Sequence, residues 1–117
     1  MKKYLTQTIE DWGGQTSSSY KKFQSDYKKE LNKICRSIGC ELVRFLLSNH
    51  YGFSCFVKNH QTDKFAYISI SDVRYWRNQW YNSILIRTAE HEKDYKGGHN
   101  HYTTYNDLTQ KILQITK

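Results

Sequence analysis

Apolar positions along this chain follow a helical rhythm first, a strand rhythm next, and a helical rhythm again at the end. Tyr20, Phe23, Tyr27, Leu31, Ile34, Cys35 and Ile38 fall at steps of three, four, four, three, one and three. That spacing puts them on one face of an α-helix. Thr16 and Ser17 to Ser19 offer N-cap residues ahead of it, and Gly39 can end it in the left-handed conformation. Four stretches then read as strands: 41–47 (ELVRFLL), 53–59 (FSCFVKN), 65–72 (FAYISISD) and 83–90 (SILIRTAE). In the second, alternation separates Phe53, Cys55 and Val57 from Ser54, Phe56 and Lys58. In the third, Ala66, Ile68 and Ile70 share one face, and Phe65, Tyr67, Ser69 and Ser71 the other. Turn-rich links at 48–52 and 60–63 make the strands consecutive, which implies an antiparallel meander.

Near the end, Tyr105, Leu108, Ile112 and Ile115 line one face of a short helix. Thr104 and Asp107 stand at capping-box spacing, although Glu or Gln is the usual partner. The predicted architecture is α+β, in the order α-β-β-β-β-α. It has a four-stranded antiparallel sheet, a long N-terminal helix on one face, and a short C-terminal helix on that face or at the edge.

At 117 residues the chain suits one domain with its own core. Residues 1–15 are polar and broken by Gly13-Gly14, so they read as an arm preceding a domain at 16–117. Hydrophobic residues at 38%, aromatics at 15% and no proline argue for a folded chain without a Pro-rich linker. Cys35, Cys40 and Cys55 lack C-x-x-C spacing, and no known zinc-ligand spacing includes them. No apolar run resembles a signal peptide or a membrane span. The expectation is therefore a cytoplasmic protein with three free thiols, no cofactor and no membrane partner.

The formal charge is +7, and the first 40 residues carry eight basic and four acidic side chains. Lys21, Lys22, Lys28, Lys29, Lys33 and Arg36 fall on the flanks and the opposite face of the first helix. That basic face reads first as a solvated surface, with contact to a phosphate-bearing partner as the second reading.

Unusual chemistry is concentrated between Tyr67 and Tyr102. An insert between the third and fourth strands holds Arg74, Tyr75, Trp76, Arg77, Trp80 and Tyr81, residue types that dominate protein hot spots and base-stacking platforms. Core packing by one of the two tryptophans is the competing reading. A loop with Lys93, Lys96, His99, Asn100 and His101 reads as a second recognition edge. Asp72, Arg87 and Asp94 suggest an ion-pair network that frames the loops, with Arg74 nearby. His99-Asn100-His101 is not a nuclease motif, because three contiguous residues cannot reproduce its hairpin-and-helix geometry. His91, Asp94, His99 and His101 are plausible ligands by type, but polar loops often collect histidines without metal, and none is assigned here. No nucleophile, general-base or phosphate-loop signature is present, so the chain reads as no enzyme.

The phrases SISDVR at 69–74, LIRTA at 85–89 and DYKGGHN at 94–100 resemble short proteins of phages and conjugative elements of Gram-positive bacteria. That group includes inhibitors of type II CRISPR nucleases, the anti-CRISPRs. The resemblance covers residues 20–117 and carries no catalytic residues. It implies a non-enzymatic inhibitor that binds an RNA-guided nuclease or its nucleic acid and blocks interference. Many groove-blocking inhibitors are acidic DNA mimics, and a charge of +7 departs from that pattern. The alternative is a basic nucleic-acid-binding accessory protein of a mobile element.

Overall fold

The computed structural model describes residues 18–47, 52–70 and 84–117. The expected arm at 1–15 and the aromatic insert at 74–81 lie outside the described residues, as does Asp72.

Helix α1 (Ser18–Ser37) ends at the predicted glycine. Ile38 N donates to Cys35 O at 3.1 Å, and Gly39 takes φ +71°. A Cβ at Gly39 would meet nothing within 4 Å, so the glycine serves the backbone angle and not close packing. Strands β1 (Cys40–Leu47), β2 (Phe53–Asn59), β3 (Phe65–Ile70), β4 (Ile84–Ala89) and β5 (His101–Thr103) follow, and helix α2 (Leu108–Ile115) closes the chain. The strands form one antiparallel sheet in the order β1-β2-β3-β4-β5.

The fifth strand corrects the expectation of four. It pairs Ile84 with Thr103, Leu85 with Tyr102 and Ile86 with His101. Three residues, separated by two from the Gly97-Gly98 pair, are too few to display an alternation, so the segment reads as loop until its partner is known.

The core lies between the sheet and both helices. Tyr20, Phe23, Tyr27, Leu31 and Cys35 of α1 meet Phe53, Cys55, Val57, Ala66, Ile68, Ile70, Ile84 and Ile86, with Leu108 and Ile112 of α2 in the same cluster. Each fully buried side chain of this size contributes about 1.5–3 kcal/mol. An aromatic chain runs from Phe23 to Tyr27 (ring centroids 4.5 Å), to Phe53 (5.2 Å), and to Phe45 of β1 (5.0 Å). Burial, with Tyr105 nearby, pushes the Tyr27 phenol well above its ordinary range. The register shift between Leu42 and Arg44 lets Leu42 pair with Val57 and Phe45 with Cys55, while Arg44 pairs with Phe56.

The C-terminal helix starts one turn later than its capping motif. Asp107 N donates to Thr104 Oγ1 at 3.2 Å, as in a capping box. The Asp107 carboxylate, however, accepts from the Thr104 hydroxyl and not from its N–H. Residues 105–107 form a turn, and Asp107 is itself the N-cap. A shorter Asp side chain cannot reach back as Glu would. The far end of α2 is held by a buried polar hub. Asn59 Nδ2 donates to Thr116 Oγ1 (3.0 Å), Thr116 Oγ1 to Ile112 O (2.7 Å), and Thr62 Oγ1 to Thr116 O (2.6 Å).

Candidate functional site

The face of the sheet turned away from the helices carries an ordered row of side chains. Register places Arg44 beside Phe56, Phe56 beside Tyr67, and Tyr67 beside Arg87. Two arginines thus flank two aromatic rings across four strands. Phe56 and Tyr67 have ring centroids 5.0 Å apart, and the Arg87 guanidinium lies 4.3 Å from the Tyr67 ring centroid, a cation–π contact. Although this face is opposite the core, Phe56 is fully buried and Arg87 is only 5% exposed.

The 90–100 loop folds onto this face. Tyr95 meets Phe56 edge-on at 5.3 Å and Tyr67 at 6.2 Å, yet half of its own surface stays exposed. Arg87 reaches the loop through its main chain: Nη2 donates to Asp94 O at 2.8 Å, and Nη1 to Thr88 O at 3.2 Å. Within the network expected of Asp72, Arg87 and Asp94, Arg87 thus bonds to the Asp94 carbonyl. The carboxylate is occupied elsewhere. It accepts from the backbone N–H groups of Glu90 (2.9 Å), Lys96 (3.1 Å) and Gly97 (2.9 Å). One side chain thus satisfies three loop donors that a strand or helix would otherwise pair.

Those donors, Glu90 first and then Lys96, hold the Asp94 carboxyl below its usual value, with a smaller contribution from Arg87. The folded protein accordingly takes up this proton less readily than the unfolded chain does. The contribution of these bonds to stability is present above the unfolded value of about 3.9 and is lost as pH falls through the lower folded value. An NMR titration of the Glu90, Lys96 and Gly97 amides should show an inflection below about 3.9. An inflection at or above that value contradicts the arrangement.

Gly97 and Gly98 complete the seat. A Cβ at Gly97 would run into the Asp94 carboxylate. Gly98 has φ +75°, and a Cβ there would sit 2.6 Å from Thr88 O and 2.5 Å from Thr88 Oγ1. Gly98 is therefore needed for close approach of the loop to Thr88 of β4, and Gly97 leaves room for the Asp94 carboxylate.

The sequence-predicted recognition edge is brought together only in part. Lys93, Lys96, His99 and Asn100 are exposed on the loop. His101 and Tyr102 stand at successive positions of β5, opposite Ile86 and Leu85, so they leave the strand on opposite faces. Tyr102, 59% exposed, falls on the same face as Tyr95. Arg74, Tyr75, Trp76, Arg77, Trp80 and Tyr81 lie outside the described residues. Among the described residues no three His, Cys, Asp or Glu side chains are placed to share a metal ion.

Arg44, Phe56, Tyr67 and Tyr95 belong to the face and were not singled out from sequence. The available signal was three large aromatic rings, Phe56, Phe65 and Tyr67, on strand faces otherwise carrying Ser and Lys.

Cys35, Cys40 and Cys55 are free and buried. Burial raises all three thiols, that of Cys35 to about 12, so they stay protonated and unreactive at neutral pH. No helix among the described residues is long and apolar enough to cross a membrane.

Fold and site define an α+β protein with one antiparallel five-stranded sheet, helices on one face and a pinned, polar-rimmed loop on the other. No protein-family model, curated protein or solved structure matches the chain.

Proposed function

We propose that the protein is a non-enzymatic inhibitor that binds an RNA-guided type II CRISPR nuclease and blocks interference by occupying its surface. The resemblance in the strands and loop motivates the choice of partner, and the 90–100 loop supports the mode of action. Its main chain is tied down by Asp94 and Arg87, while Lys93, Tyr95, Lys96, His99 and Asn100 remain exposed. A loop already fixed in shape loses little conformational entropy on docking, which favours tight binding to a partner surface. Arg74, Trp76, Arg77 and Trp80 form a second part of the contact in this reading, on the strength of their residue types. Such an inhibitor acts in the bacterial cytoplasm, where free thiols persist. The alternative, an accessory protein that binds nucleic acid directly, draws its support from the cations of α1.

The test is cleavage of a target duplex by purified type II nuclease loaded with guide RNA. Cleavage should fall to background as the protein reaches molar excess. The combined change Lys93→Ala, Lys96→Ala and His99→Ala should raise the concentration needed by about tenfold or more, without altering thermal unfolding. Undiminished cleavage across several type II nucleases rejects the proposal.

A further inference from the structure

The outer face of α1 is built differently from the sheet face. Lys21, Lys28, Lys29, Lys33 and Arg36 recur at helical spacing from the first turn to the last, with Ser25, Asn32 and the Asp26-paired Lys22 between them on that side. All five cations are exposed. None makes a hydrogen bond or ion pair among the described residues. The acids of the helix are engaged elsewhere: Asp26 pairs with Lys22 at 2.7 Å, and Glu30 accepts from the Tyr105 hydroxyl. From Lys21 to Arg36 the stripe extends about 22 Å along the axis. The charge is thus unneutralised, linear and carried on a rigid element.

Three kinds of polyanion attract such a stripe, and its composition separates them. A membrane-surface helix inserts an apolar face beside its cations. Here Tyr20, Phe23, Tyr27, Leu31 and Cys35 are at most 4% exposed, and Ile34 is partly buried against the same core. An acidic protein surface gains most of its affinity from buried aromatic or aliphatic anchors, and the stripe contains none. A nucleic-acid backbone needs only regularly placed cations, each displacing a counterion.

We propose that the outer face of α1 is a second binding surface, separate from the pinned loop, that seats the phosphate backbone of a nucleic acid. The loop and the stripe lie on opposite sides of the sheet, so one molecule can hold a protein partner on one side and a nucleic acid on the other. This surface does not depend on the identity of the protein partner. Its recognition is of charge more than of sequence, since four of its five cations are Lys, which meet phosphates as point charges.

The test uses the full chain and fluorescein-labelled RNA and DNA, single- and double-stranded, followed by anisotropy across a salt series. Five contacts on duplex predict a slope near −4.5 in log K against log salt, or a loss of about 500-fold between roughly 50 and 200 mM. The variant Lys28→Gln, Lys29→Gln, Lys33→Gln should flatten that loss to about twelvefold. Lys58→Gln, Lys93→Gln, Lys96→Gln removes the same charge from the opposite side and should leave the slope unchanged. All substituted residues are exposed or half-exposed, and circular dichroism checks that both variants unfold like the parent. No binding at low salt overturns the proposal. Equal flattening by the two variants also does so, because it would mean diffuse attraction by net charge. Tighter binding to phosphatidylserine vesicles than to any nucleic acid, lost in the α1 variant, assigns the stripe to membranes and likewise overturns it.

Discussion

Replacing Phe56 with alanine is expected to destabilise the protein by about 3–5 kcal/mol. Phe56 is fully buried, but it belongs to the sheet face turned away from the main core cluster. Its ring is enclosed by Tyr67 at 5.0 Å, Tyr95 at 5.3 Å and the strand neighbour Arg44. Truncation removes a ring and leaves a void that Tyr95 cannot fill, since Asp94 and Gly97 fix the chain on either side of it. Phe56→Leu keeps most of the volume and should cost less than about 1.5 kcal/mol. Urea unfolding of both variants measures the difference. A Phe56→Ala cost below about 1 kcal/mol would show that the loop is a loose cover that collapses into the gap. For a domain whose whole stability is about 5–15 kcal/mol, the expected loss also predicts poor accumulation of the variant in cells.

How far the sequence discloses this arrangement differs between the two faces. Helix α1 and strands β2 and β3 follow from the spacing of Tyr20, Phe23, Tyr27 and Leu31 and from the alternation of Phe53, Cys55, Val57, Ala66, Ile68 and Ile70. Those residues serve one core and repeat with its period. The row Arg44, Phe56, Tyr67, Arg87 has no such period, because each strand contributes a single member and only the pairing register aligns them. The shift between Leu42 and Arg44 places Arg44 in that row, and strand alternation without the shift gives no sign of it. β5 was hidden for a related reason: its three residues acquire meaning only beside Ile84, Leu85 and Ile86. Arg87 and Asp94 were legible as partners by charge. The sequence could not disclose that the bond runs to the Asp94 carbonyl, because the carboxylate is engaged by three nearby N–H groups. Local Asx-type geometry wins over the longer-range ion pair because it closes within a few residues and orders fewer of them.

Arg87→Ala is expected to cost about 2–4 kcal/mol, from a lost charge-assisted hydrogen bond and a lost, largely desolvated cation–π contact. The effect should be uneven across the molecule. Arg87 stacks on Tyr67 and donates to Asp94 O, so its removal frees the loop from β4 while leaving Ile84 and Ile86 in the main core. Hydrogen exchange should therefore accelerate at residues 93–98 before it does so in β2 and β3. Arg87→Lys separates charge from shape: an ammonium keeps the charge, but it cannot lie flat on Tyr67 and donate to two carbonyls at once. It should recover less than half of the stability lost in the alanine variant. Inhibition of a type II nuclease, on the proposed reading, should fall in parallel with protection of the loop and not with global stability. Nucleic-acid binding by α1 should be unaffected in the same variant. Equal acceleration of exchange in every strand would instead make Arg87 a general core residue and remove the reason for placing recognition on the loop it holds.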